Sequence, residues 1–318
     1  MESSQPQPSR IPHPGRILVL GDVHGDLNRL ISCLVCTNII RVDTGDVVTW
    51  IAQPPNTVVV QLGDQIDGAC RGGDPAWEEK EGVDIDVIVF MDMLDSIAQM
   101  GGGRVISLLG NHEIMNVLQE YQCVSQHSMN VTGALGRQML FTPGSGRIAL
   151  LLSKRNVVVQ VGPYIFCHGG LLPMHLELLK GNFDTANWLI QMYLRGEGHL
   201  ISTSDREVLN HTVFSQEGIL WNRLYLTLQH TDDVVDVLLN TVFDKTKAIC
   251  MFVGHNTVEN IYSIAKNKLF FADAGLSRCY PTKVIQCIEI VSTPASNTDT
   301  SKQDDVVRVL RLSKSDKN

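Results

Sequence analysis

Six residues carry the chemistry for which this sequence is best equipped: Asp22, His24, Asp64, Asn111, His168 and His255. They lie in glycine-marked clusters: Gly21-Asp22-Val23-His24-Gly25-Asp26, Gly63-Asp64-Gln65-Ile66-Asp67-Gly68, Gly110-Asn111-His112-Glu113, His168-Gly169-Gly170 and Gly254-His255-Asn256. A set that mixes carboxylate, carboxamide and imidazole suits borderline divalent ions such as manganese, iron or zinc. A magnesium or calcium site would draw mainly on oxygen ligands. Two such ions about 3.5–4 Å apart stabilise both the attacking and the leaving oxygen of a displacement at phosphorus, and a short carboxylate must bridge them.

Alone, each cluster is weak. Asp-x-His and Asn-His pairs arise by chance, and a histidine beside glycine is more often part of a turn. The elements that must position them change that judgement. RILVL (16–20), TVVVQL (57–62) and RVISLL (104–109) read as apolar strands, each ending directly in a cluster. Between them, Asp26 caps a helical pattern in LNRLISCLV, and residues 83–100 have helical spacing that stops at three glycines. Strand–helix–strand order predicts an α/β fold with parallel pairing. Ligands bind beyond the carboxyl ends of such strands, so the clusters should converge on one rim. NVVVQV (156–161) and YIFC (164–167) read as a hairpin around Gly162-Pro163 that ends at His168. A mainly helical stretch runs from about 171 to 246, and KAICMFV (247–253) leads to His255. Late strands are expected at 268–274 and 284–291, with another at 305–311 after a polar linker.

These ordered motifs resemble a known family. GDVHGD, GDQID, LLGNHE, FCHGG and VGHN are similar to the signatures of the phosphoprotein phosphatases among the calcineurin-like metallophosphoesterases. LLGNHEIMN, the HGGL segment and LWNRLY look most like the Shewanella-like phosphatases. The resemblance implies an α/β fold: a β-sandwich of two mixed sheets flanked by helices. It assigns Asp22 and His24 to a first metal, Asp64 to the bridge, and Asn111, His168 and His255 to a second metal. By the same resemblance His112 protonates the leaving group or contacts phosphate, and Asp67 orients it. Asn111 and Arg223 would also face the phosphate. The nucleophile would be a hydroxide held by two divalent ions (manganese, iron or zinc), with no Ser or Cys nucleophile. One departure stands out: the family has Arg directly after the second Asp, where this chain has Gly68. Arg71, three positions on, is the candidate replacement for that guanidinium. Glu113 is expected to support the third strand end from behind. His127, His175 and His211 have no motif around them and are expected to be structural or exposed.

Composition is consistent with this. The chain has 318 residues, 44% apolar and 19% charged, which is a globular profile. A formal charge of -8 disfavours nucleic acid and anionic membrane as partners. The eight cysteines are scattered through apolar runs, as reduced core thiols are. Cys33 and Cys36 fall inside a helical pattern, which favours packing over redox chemistry. Residues 1–14 lack an apolar signal-peptide core and read as a flexible arm. No apolar run approaches the ~20 residues of a membrane span, so a cytoplasmic protein is expected. Residues 15–291 are expected as the metallophosphoesterase domain, with a helical insertion at 171–246, and 292–318 as linker, strand and tail.

The expected function is a metal-dependent phosphomonoester hydrolase, foremost a protein phosphatase (Ser/Thr or Tyr) acting on a phosphorylated protein or peptide. The motifs do not separate it from a dinucleoside polyphosphate hydrolase of the diadenosine tetraphosphate type. A pseudophosphatase scaffold has only Gly68 in its favour.

Overall fold

The computed structural model describes residues 6–69, 82–281, 284–292 and 305–312. In chain order the strands are β1 (Arg10–Ile11), β2 (Arg16–Leu20), β3 (Ile40–Asp43), β4 (Val47–Trp50), β5 (Val58–Gln61), β6 (Arg104–Ser107), β7 (Val158–Val161), β8 (Tyr164–Cys167), β9 (Cys250–Val253), β10 (Tyr262–Ile264), β11 (Leu269–Phe271), β12 (Ile285–Ser292) and β13 (Asp305–Leu312). The helices are α1 (Leu27–Cys36), α2 (Asp86–Met100), α3 (Asn111–Val117), α4 (Gln126–Thr132), α5 (Ala134–Phe141), α6 (Arg147–Leu152), α7 (Pro173–Leu178), α8 (Asp184–Leu194), α9 (Thr203–Leu209), α10 (Leu224–Thr227) and α11 (Asp232–Thr246).

Two mixed sheets form a sandwich. One has the order β13-β12-β2-β5-β6, with β2, β5 and β6 parallel. The other has the order β1-β7-β8-β9-β11-β10, with β8, β9 and β11 parallel. Side chains alternate between faces, and both faces are buried, which explains the unbroken apolar runs. Ile17 and Val19 meet Phe166 and Phe252 between the sheets. Leu18 and Leu20 face the other way, against Leu30 and Leu34 of α1 and Leu94 of α2. Cys167 and Val253 lie beneath α7 to α11 on the outer face of the second sheet. The result is an α/β sandwich of four layers.

The parallel strands place the clusters at one rim. Asp26 caps α1, its carboxylate accepting from the Arg29 amide at 3.0 Å. Cys33 packs on the buried face of α1 as expected, whereas Cys36 is exposed.

Several elements depart from the sequence reading. The hairpin β3–β4 and helices α4 to α6 carry no motif and were not anticipated. Of the arm expected at 1–14, residues 1–5 lie outside the described residues and the rest runs along the second sheet. Its strand β1 pairs with β7, and His13 Nε2 meets the Asp305 carboxylate at 2.5 Å. The strand expected at 305–311 is β13, antiparallel to β12 along eight residue pairs.

Candidate metal centre

The loops after β2 and β5 are bound to each other before any side chain is considered. The amides of Val23 and His24 donate to the Asp64 carbonyl, and that of Gly25 to the Gln65 carbonyl. Glu113 ties in the third loop: its carboxylate accepts from the amides of Gly110 (2.7 Å), Asp64 (3.0 Å) and Gln65 (2.8 Å). The turns are tight enough that His24, Asp64, Asp67 and His255 all have positive φ, a conformation costly for residues with a side chain. Gly110 and Gly254 make room. A Cβ on Gly110 would collide with Asp64, and one on Gly254 with the Asp22 carboxylate.

All six metal-ligand candidates are buried and converge. Ligand-capable atoms of Asp64, His168 and His255 lie within 4.8 Å of one another, as do those of His24, Asp64 and His112. Asp64 belongs to both groups. Asp22 joins them with Oδ2 3.9 Å from His24 Nε2, and it accepts from the His255 amide at 3.1 Å. Asn111 Oδ1 is 3.0 Å from His168 Nε2, and Asp64 Oδ2 is 3.1 Å from the same nitrogen.

The histidines are oriented by backbone carbonyls, which can only accept. His24 Nδ1 donates to Ile66 at 3.0 Å and Asp67 at 3.1 Å. His168 Nδ1 donates to Leu62 at 2.8 Å, and His255 Nε2 to Trp221 at 2.9 Å. Each of these nitrogens must carry the hydrogen, so the other keeps its lone pair. At His168 that lone pair points at oxygens of Asp64 and Asn111 that are acceptors too. Several acceptors crowded together in a buried place is what a cation resolves, so the residues fit a divalent metal.

Electrostatics agree. Burial pushes the Asp64 carboxyl up, but His168, His112 and His24 outweigh it and hold it well below the carboxylate range. Burial, then His168, lowers His255 to about 3, keeping its imidazole neutral as a ligand must be.

His112 is different. Its Nδ1 donates to Asp67 Oδ2 at 2.9 Å, not to a carbonyl, and its Nε2 is 3.7 Å from Asp64 Oδ2. Asp67 is fully buried, and burial raises its carboxyl, an effect opposed first by His112. Its two oxygens accept from His112, Asn116 and Arg137, the pattern of a carboxylate and not of an acid.

Arg223 is exposed, and its Nη1 donates to the His255 carbonyl at 3.0 Å and to Asn256 Oδ1 at 3.2 Å. This puts a guanidinium at the rim beside a ligand candidate. Arg71 lies outside the described residues. Arg137, Asn116 and Asp84 were missed by sequence reasoning. Asn116 follows His112 by four residues, one helical turn, which was the only signal. Arg137 sits in a segment without motif and offered none.

A sandwich of two mixed sheets flanked by helices, with two groups of ligand-capable side chains sharing Asp64 at its rim, has the architecture of a phosphoesterase. The chain belongs to the calcineurin-like phosphoesterase family, whose model matches residues 15–299. It is 27% identical over 226 residues to Shewanella-like protein phosphatase 2 of Arabidopsis thaliana, covering 57% of this chain and 53% of that one. The chain thus spans about half the length of that relative. It is 26% identical over 274 residues to Shewanella-like protein phosphatase 1 of Plasmodium berghei, covering 83% of this chain and 67% of that one. The fold is shared with a cold-active protein-tyrosine phosphatase of a psychrophilic Shewanella species. That match has a TM-score of 0.73 at 22% identity, covering 91% of this chain and 79% of the other. Among the described residues no helix is long and apolar enough to cross a membrane.

Proposed function

We propose that this phosphoesterase is a metal-dependent phosphatase of phosphorylated proteins or peptides. The observation that carries the reading is Asp64, common to two groups of buried ligand atoms in which His24, His168 and His255 are pre-oriented by carbonyls. Asp22 and His24 would hold one ion, Asn111, His168 and His255 the other, and Asp64 both. Bound there, the ions supply activation of water and neutralisation of the phosphoryl oxygens. The chain's own residues do the rest. Arg223 at the rim binds the phosphoryl group, and Asn111 faces it. Arg71 is proposed, on sequence alone, as the second cation in place of the arginine absent at Gly68. His112 gives its Nε2 proton to the leaving oxygen, while Asp67 holds Nδ1 and stabilises the imidazolium before transfer. The named similarity to two protein phosphatases supports a phosphoprotein substrate over a nucleotide one.

The test is a panel of phosphoserine, phosphothreonine and phosphotyrosine peptides set against diadenosine tetraphosphate, with manganese, iron or zinc loaded and metal content measured. Metal-dependent turnover of phosphopeptides is expected. Turnover of the dinucleotide alone would replace the substrate, and no turnover at two bound metals per chain would leave a scaffold.

A further inference from the structure

Helix α5 buries a charge beside its one core side chain, Phe141. Leu135 and Met139 are exposed at 69% and 64%, while Arg137 between them is fully buried. A guanidinium costs several kcal/mol to remove from water unless its hydrogens are matched. Here they are. Nη1 and Nη2 fork onto Asp84 Oδ1 (2.9 Å) and Oδ2 (2.8 Å), Nη2 also reaches Asp67 Oδ1 (3.2 Å), and Nε donates to Asn116 Oδ1 (2.5 Å). The Asn116 amide in turn donates to both Asp67 oxygens at 3.0 and 2.9 Å, and Asp84 Oδ2 accepts from the Asp67 amide at 3.2 Å. Asp67 is thus held by side chain and backbone alike, in a left-handed conformation with φ of 69°. Among the described residues its carboxylate's remaining hydrogen bond is to His112 Nδ1.

We propose that Arg137, with Asp84 as its anchor, is a positioning residue for His112: it fixes the Asp67 carboxylate, which fixes the imidazole. The inference rests on the phosphatase reading for its kinetic consequence, but not for its structural one. The alternative is that Arg137 only fills a space beneath α3. That role is separable, because a filler does not care whether His112 is present. The network also explains an expenditure that folding alone does not require. Turning α5 would exchange buried Phe141 and Arg137 for Leu135 and Met139, keeping apolar surface buried and leaving the arginine in water. Its burial makes sense if the ion pair is needed where it is.

The experiment uses the full chain and two variants. Arg137→Gln with Asp84→Asn removes both charges of the fork together and leaves Asp67 to His112 and Asn116. Arg137→Lys keeps the charge and loses the fork. Both should fold and load metal as the parent does. Each should lower kcat on phenyl phosphate by about 10²-fold, the cost of a misplaced catalytic group, with KM unchanged. The loss should be smaller on 2,4-dinitrophenyl phosphate, whose leaving group needs no proton. In a His112→Asn background neither variant should lower kcat further. An equal loss on both esters, an additive loss with His112→Asn, or no loss would overturn the proposal. An inactive parent would sink the phosphatase reading and leave this one testable by nitrogen NMR. Metal-free parent should show His112 with a fixed, hydrogen-bonded Nδ1–H, and the variants an averaged ring. Identical ring signals in parent and variants would overturn the inference whatever the activity, and a variant that fails to fold is replaced in this test by the other.

Discussion

Hydrogen bonding divides the histidines of the centre into two kinds. His24, His168 and His255 each spend one ring nitrogen on a backbone carbonyl, which fixes a neutral tautomer with a lone pair inward. His112 spends its nitrogen on the carboxylate of Asp67, which favours the protonated ring. A ligand must be neutral and an acid must be charged, so the partners separate roles that residue type alone does not. Two substitutions should therefore fail differently. His112→Asn should bind metal normally and lose about 10²–10⁴-fold in kcat, the range for removal of an acid–base group. His168→Asn should lose metal along with activity. Turnover of p-nitrophenyl phosphate and elemental analysis of the same samples check both. Metal loss in His112→Asn would reassign it as a ligand, which its grouping with His24 and Asp64 makes a real contest.

At the scale of elements, legibility followed periodicity and motif. β2 and β8 were read to the residue, because fully buried strands are unbroken apolar runs bounded by polar turns. The convergence of the six ligand candidates was legible for the same reason, since each follows such a run. Helices α4 and α5 were not, because their exposed Val131, Leu135 and Met139 and buried Arg137 invert the usual pattern. With them went the support of Asp67, a contact made across 70 positions in sequence. Helix α7 shows a subtler case. His175, without a motif, caps it: Nδ1 accepts from the Leu172 amide at 3.1 Å and Nε2 donates to the Glu217 carbonyl at 2.7 Å. Burial lowers its pKa from 6.5 to about 4. The unfolded chain then takes up this proton more readily than the folded one. Stability from His175 is complete above pH 6.5 and drains away as pH falls towards 4, by about 3 kcal/mol in all. Urea unfolding of the parent and of His175→Gln at pH 7.5 and pH 5 should show a flatter pH dependence in the variant. Parallel curves would refute the assignment.

The centre joins the whole molecule across its layers. Asp22, Asp64 and Asn111 extend from β2, β5 and β6 of one sheet, whereas His168 and His255 extend from β8 and β9 of the other. Outside the centre the sheets meet through apolar contacts such as Ile17 and Val19 with Phe166 and Phe252. At the rim that packing gives way to buried carboxylates and imidazoles, whose acceptors oppose one another without a cation. Metal binding should therefore act as a clamp between sheets and add to global stability, because the unfolded chain has no such site. With free metal at 100 times its dissociation constant the gain is about 2.7 kcal/mol. For a chain of 318 residues that corresponds to about 4 °C in Tm. Calorimetry of the parent with manganese and after chelation should show this gap. Asp64→Asn weakens both groups at once, so it should melt at one temperature in both conditions. A parent whose Tm ignores chelation, or an Asp64→Asn variant that still responds to manganese, would mean that the metals do not bridge the two sheets.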